Sequence, residues 1–319
     1  MILNNLIFSL NATMPIFLMM VVGYVLKRIG WLKEPTTSVI NKLVFKVFLP
    51  CLLFGDLYTQ DFVGIWDSKY IVFCFLATLI SMGIADLCSR LDKDKEDKGE
   101  FIQGSYRSAA ATLGIAFMTN IYDNVAMLSL MILASVPLYN VVAVILLTLT
   151  SPENKNEKVE KGALLKRTLK GIVTNPIILG IVAGLIWSVL RIPMPVILGK
   201  SITYLGNVAS PLALIGLGAS FEFGELKEKV RPIIYIVFNK LVLFCLIFLP
   251  VAVYLGYRDE KLVATLIMLG SATTSSSFIM AKNMGHKGII SSSAVMTTTF
   301  LSSFTLTVWL FILRTFGYI

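Results

Sequence analysis

Apolar residues fall along this chain in ten runs of about 20, each long enough for one helix to cross a hydrocarbon layer. The runs cover roughly 6–29, 38–58, 70–89, 101–121, 125–149, 172–191, 196–221, 232–256, 261–281 and 289–313. Connections are short except for two polar stretches. Residues 90–100 form a mixed charge run. Residues 151–170 are lysine-rich, show no apolar periodicity and read as a solvated linker. The pattern predicts an all-α polytopic membrane protein.

The ninth run is interrupted by eight small, mostly hydroxylated residues: Gly270, Ser271, Ala272, Thr273, Thr274, Ser275, Ser276 and Ser277. A lipid-facing helix has no use for such a stretch. It suits either a face where helices pack closely or unwound backbone around a cavity, as in the broken helices of secondary transporters. The fourth run carries a similar stretch, from Gly104 and Ser105 through Arg107, Ser108, Thr112 and Gly114.

A shift of 161 residues brings Pro15 onto Pro176, Gly23 onto Gly184, Pro50 onto Pro211 and Gly55 onto Gly216. Coincident leucines would mean little in apolar runs, but coincident prolines and glycines mark a repeat. The chain then divides into a first five-helix repeat at 1–150, a cytoplasmic linker at 151–170 and a second five-helix repeat at 171–319. Five is odd, so the second repeat enters the membrane in the opposite sense, as in many secondary transporters. Runs 4 and 9 become partners under the repeat. That favours two broken helices crossing at mid-membrane over two packing faces.

Composition agrees with the class: 56% hydrophobic and 15% charged, with a mean hydropathy of +0.79, against about 25% charged in a soluble domain. The net charge of +9 does not point to nucleic acid, because 20 of the 28 lysines and arginines count toward the side of the loops after runs 1, 3, 5, 7 and 9, with Lys42 and Lys46 at the start of run 2 included. Only six lie in the loops on the other side, and Arg107 and Lys240 fall within runs. The bias predicts those five loops in the cytoplasm and both termini outside it, in the cell (inner) membrane. The N-terminal run has no basic residues before it and is long enough to span, so no cleavable signal is expected. Cys51, Cys74, Cys88 and Cys245 lie in or beside apolar runs with no paired spacing and read as reduced structural thiols.

Several segments resemble the auxin efflux carrier family, in its bacterial branch. They are Phe45-Lys46-Val47-Phe48-Leu49-Pro50, Phe101-Ile102-Gln103-Gly104-Ser105-Tyr106-Arg107-Ser108, Pro137-Leu138-Tyr139-Asn140-Val141, Asn175-Pro176-Ile177-Ile178, Pro211-Leu212-Ala213-Leu214-Ile215-Gly216 and Ser275-Ser276-Ser277-Phe278. The resemblance covers nearly the whole chain. It implies ten spans in two inverted repeats, crossing helices at spans 4 and 9, and a scaffold of spans 1, 2, 6 and 7 against which the other six move. It also implies carriage of small organic anions, which are auxin in plant relatives and malonate, malate and similar carboxylates in bacterial ones, in the direction of efflux. The chain departs from the family where Asn and two prolines are usual, reading Ala109, Ala116 and Ala272. The breaks are therefore expected to rest on Gly114, Gly270 and the hydroxyl cluster.

Ionisable residues inside spans are candidates for function. Arg107, about 9 Å inside its span, suits a substrate carboxylate or an interface anchor, with Asp86 as a candidate partner. Lys240 lies deeper and should point inward. The substrate-binding set expected is Arg107, Ser108, Thr112, Gly114, Asn140, Lys240, Gly270, Ser271, Thr273, Thr274 and Ser275. Asn140, Asn207 and Asn239 also suit interhelical hydrogen bonds. Ser291, Thr298, Ser302 and Thr305 share one face of the last run. An enzyme is not expected: the single histidine, His286, sits in a loop, and no metal-binding or nucleophile motif is present. No cofactor or metal is expected either. Without a phosphate-cradling glycine loop, ATP is not the direct drive, which leaves a proton or sodium gradient. An anion channel or a transport-derived sensor is the alternative.

Overall fold

The computed structural model describes residues 2–60, 62, 64–91, 97–122, 125–152, 161–221, 224 and 229–319. All regular structure among them is helical. In chain order the helices are α1 (Ile2–Arg28), α2 (Glu34–Tyr58), α3 (Ser68–Ser89), α4 (Lys98–Tyr106), α5 (Ala110–Ile121), α6 (Ala126–Leu149) and α7 (Lys161–Thr174). They continue as α8 (Pro176–Val189), α9 (Val196–Ser220), α10 (Val230–Tyr254), α11 (Asp259–Gly270), α12 (Ser275–Asn283) and α13 (Ile289–Thr315). Seven of these are long and apolar enough to cross a membrane, and nine spans result when the bent pairs α7–α8 (53°) and α11–α12 (40°) each count as one. The expected fourth span folds as the separate pair α4 and α5.

Local chemistry sets the helix ends. Asn175 caps α8, its Oδ1 accepting from the Ile177 amide at 2.9 Å, and Pro176 follows at the first turn, where a missing N–H costs nothing. Asp67 caps α3 by accepting from the Tyr70 amide at 3.1 Å and ties it to α11 through the Lys261 ammonium at 2.5 Å. The Lys261 hydrogen bond holds the Asp67 carboxyl below its ordinary range. Glu100, buried on α4, accepts from the amides of Gly288 and Ser291 at 2.9 Å each, placing a carboxylate at the N-terminus of α13.

One expectation is corrected here. Within the stretch read as an aperiodic linker, residues 153–160 lie outside the described set, but Lys161–Thr174 is a helix that packs on α6. Leu164, Leu165, Leu169, Ile172 and Val173 recur at helical spacing. The lysines between them hide that period in a simple apolar count.

Packing brings α1 against α9, and α2 against α8 and α9, while α1 also runs along α13. Close approach depends on glycine at several places, among them Gly23 and Gly184. A β-carbon on Gly23 of α1 would overlap the Ile215 carbonyl oxygen of α9, and one on Gly184 of α8 would lie 2.9 Å from the Phe54 carbonyl oxygen of α2. Small residues at such points let membrane helices meet backbone to backbone. The outer faces carry exposed Leu18, Val22, Val72, Leu76, Leu179 and Val182, as lipid contact requires.

Candidate functional site

The two interrupted helix pairs meet at their breaks. Between α4 and α5, Arg107 is extended (φ −72°, ψ 134°), and between α11 and α12 so are Ser271 (φ −77°, ψ 166°) and Thr274 (φ −70°, ψ 140°). The Ala109 amide donates to the Ala272 carbonyl at 2.8 Å. Hydroxyls satisfy the backbone that the helices leave open, as buried peptide groups demand. Thr273 Oγ1 donates to the Gly104 carbonyl at 2.7 Å, Thr298 Oγ1 accepts from the Thr273 amide at 3.0 Å, and Ser108 Oγ donates to the Met268 carbonyl. The face of the last helix thus supports the crossing through Thr298. Gly114 plays no part in the break, contrary to expectation. It lies inside α5, where a β-carbon would come within 2.5 Å of Leu128 Cδ1, so its role is packing. The chain opens its helices without proline because side-chain donors and acceptors replace the lost helical bonds.

The crossing has two electrostatic sides. The carboxyl ends of α4 and α11 converge, and their carbonyls carry partial negative charge. Lys240, fully buried in a π turn of α10 (Asn239–Leu243), sits there. Its ammonium donates to the carbonyls of Leu269 at 3.0 Å, Met268 at 3.2 Å and Tyr106 at 3.5 Å, and to Ser108 Oγ. The amino ends of α5 and α12, with their free N–H groups, face the other way.

There a cavity of about 90 Å³ opens, room for several waters. Residues 109–111 and 274–276, at the starts of α5 and α12, line it together with Arg107, Tyr139, Asn140 and Asp56. Arg107 is 2% exposed and has neutral partners. One Nη donates to Asn140 Oδ1 at 2.9 Å and Ser276 Oγ at 2.8 Å, the other to Gln103 Oε1 at 3.3 Å and the Met280 sulfur at 2.9 Å. Its Nε has no partner among the described residues. Asp86, the candidate partner, is engaged elsewhere, with Lys98 at 2.7 Å and Arg90 at 3.1 Å. Helix-start amides beside a buried guanidinium form a place suited to a small anion.

Of the expected binding residues, Arg107, Ser108, Asn140, Thr273, Thr274 and Ser275 line this cavity. Lys240, Gly114, Gly270 and Ser271 lie outside it. Thr112 is on α5, and its side chain falls outside the described set. Asn207 is exposed and bridges no helices among the described residues, whereas Asn239 is buried. Asp56, Gln103, Ser276, Tyr139 and Glu100 were not in the expected binding set, although Ser276 lay in the interrupted stretch and Gln103 and Tyr139 in the motif segments. A signal existed for Asp56, since a lone acid within the run 38–58 is unusual.

Comparisons with known proteins bear on the family and the fold. An uncharacterized transporter of Methanothermobacter thermautotrophicus is 23% identical over 307 residues, covering 94% of this chain and 97% of that protein. A protein of Rhizobium meliloti assigned provisionally to malonate transport is 33% identical over 149 residues, 45% of each chain. In fold, the chain is similar to a sodium proton antiporter of Methanocaldococcus jannaschii, with a TM-score of 0.62, 14% identity and coverage of 97% and 98% of the two chains. The family described as membrane transport protein matches residues 8–310. The chain belongs to that family, the auxin efflux carrier family of membrane transporters.

Proposed function

We propose that this protein is a secondary carrier of small organic anions, with malonate-sized carboxylates as its substrate class, working by alternating access around the crossing of α4–α5 and α11–α12. The observation that carries the reading is Arg107, a buried guanidinium with neutral partners, lining the same cavity as two helix amino ends. A buried cation of that kind is costly until an anion joins it. The provisional malonate assignment of the Rhizobium meliloti relative supports the substrate class.

The reading includes ten spans in two inverted five-helix repeats, 1–150 and 171–319, joined by 151–170 at the cytoplasmic face of the cell membrane. The two glycine contacts support it. Gly23 meets Ile215 and Gly184 meets Phe54, and both members of one pair map onto the other pair at the 161-residue offset. A repeat packed on its inverted copy makes each interface contact twice. Within this reading the bound set Arg107, Ser108, Asn140, Thr273, Thr274 and Ser275 holds the carboxylate, and Lys240 neutralises the helix ends behind it.

Uptake of radiolabelled mono- and dicarboxylates into proteoliposomes, with and without proton and sodium gradients, tests the proposal. Saturable, gradient-sensitive uptake of at least one small carboxylate is expected. Currents far above carrier turnover would replace the carrier by a channel.

A further inference from the structure

Asp56 is a second ionisable group in the cavity, on α2 opposite the crossing. Its Oδ2 is buried and has no hydrogen-bond partner among the described residues. Its neighbours along the lining are apolar: Leu49, Leu52 and Leu53 of α2, Ile16 of α1 and Leu214 of α9. Ser210 of α9 and Thr299 of α13 add hydroxyls to the lining. The other titratable groups of the lining are Arg107 and Tyr139, both across the cavity. On α2 itself the titratable neighbours are Cys51, Tyr58 and Lys46. The packed face of α8 contributes none, and on α9 Lys200 and Tyr204 line a separate outer pocket with Tyr58.

A carboxylate in such surroundings needs a positive partner. Asp56 has none in contact: Arg107, the cation of the lining, stands across the cavity and is the group an anionic substrate would occupy. Once the anion is bound, Asp56 and the substrate would be like charges in one small, dry cavity, each raising the other's affinity for a proton. Sodium is the competing coupling ion, and the test below separates it from a proton.

We propose that Asp56 is the coupling site of the carrier: when an organic anion binds at Arg107 it takes one proton from hydronium or a protonated buffer acid in the aqueous phase, and it returns that proton to water or buffer base when the anion leaves. The step forms an O–H bond on the Asp56 carboxyl at the face where the cavity is open and breaks it at the other. The inference rests on the anion-carrier reading and adds a stoichiometry to it. Anion and proton then move in the same direction, so an inward proton gradient drives uptake, against the efflux that the family resemblance implies.

Calorimetry of malonate binding to the purified full-length protein, in buffers of different ionisation enthalpy, measures the protons taken up. About one proton per malonate is expected for the wild type, with affinity weakening about tenfold per pH unit once Asp56 is ionised in the free protein. Asp56→Asn should bind malonate with pH-independent affinity and no proton uptake, while Asp56→Glu should keep both linkages. Absence of proton uptake in the wild type, its persistence in Asp56→Asn, or sodium-dependent binding abolished by Asp56→Asn would overturn the proposal. If no carboxylate binds the wild type at all, the anion reading fails separately. Infrared spectra then still decide the proton site: a protonated-carboxyl band that Asp56→Asn removes upholds Asp56 as the group, and its absence across the pH range refutes it.

Discussion

At the scale of single residues, Arg107 and Lys240 carry the same charge and different duties. The guanidinium of Arg107 faces the cavity with neutral partners, whereas the ammonium of Lys240 is spent on carbonyls behind the crossing. Arg107→Gln should therefore weaken carboxylate binding by on the order of 2–5 kcal/mol. Even the low end is about thirtyfold in affinity. The same change should leave the melting temperature in detergent equal or higher, because it removes a buried charge without an acidic partner. A loss of stability with unchanged affinity would make Arg107 an anchor. Lys240→Met is expected to behave in the opposite way, losing about 1–3 kcal/mol of stability as the helix-end carbonyls go without donors. Affinity in the folded fraction should stay within a few-fold, and a binding assay beside a thermal melt checks both. Both cations were legible in the sequence because a charge inside an apolar run is conspicuous. Their duties were not, because the partners of Lys240 are peptide carbonyls, which every residue possesses and only the fold brings together. Asp56 was overlooked for a related reason: one acid near the end of a run reads as part of the boundary.

Among the elements, the broken helices matter most, and here composition was the guide. Eight small residues announced the interruption of α11–α12, and the repeat transferred the idea to α4–α5. The location of the second break was less legible. Glycine drew attention to position 114, but the helix opens at 107–109, where Arg107, Ser108 and Ala109 find partners across the crossing. Which residues of a small, polar stretch leave the helix depends on the neighbour's donors and acceptors, information that lies about 160 residues away in the chain. Two substitutions separate packing from binding. A β-carbon at Gly270 would lie 2.6 Å from Cys245 Sγ, so Gly270→Leu should cost about 1–3 kcal/mol by overpacking and reduce yield and activity together. Thr274 is half-buried and lines the cavity, so Thr274→Leu should fold normally and bind carboxylate at least about tenfold more weakly. Equal loss of folded protein in both variants would return this segment to a packing role.

For the whole molecule, the apolar runs cover each of the seven helices long enough to cross a membrane, because lipid contact leaves its mark on each lipid-facing residue. Hydropathy failed at α7, where Leu165, Leu169 and Val173 are exposed on a helix that also carries Lys166 and Lys170. A basic helix with an apolar stripe lies at a membrane surface rather than across it. Its charges also enter the loop bias, so α7 belongs on the cytoplasmic side if the positive residues set the orientation. The inverted-repeat reading fixes the other side as well: the end of α2 must lie outside, because α1 and α2 together cross twice from an outer N-terminus. In a background without native cysteines, Lys166→Cys should react with an impermeant thiol reagent only from the cytoplasmic face, and Thr59→Cys only from outside. Both positions are exposed on the protein, so packing inside it does not shield them, and labelling from both sides of opened membranes supplies the control for access. Labelling of both from one side would break the odd count of spans between them, and with it the inversion of the second repeat. Reversed labelling of the pair would keep the repeat and overturn the orientation.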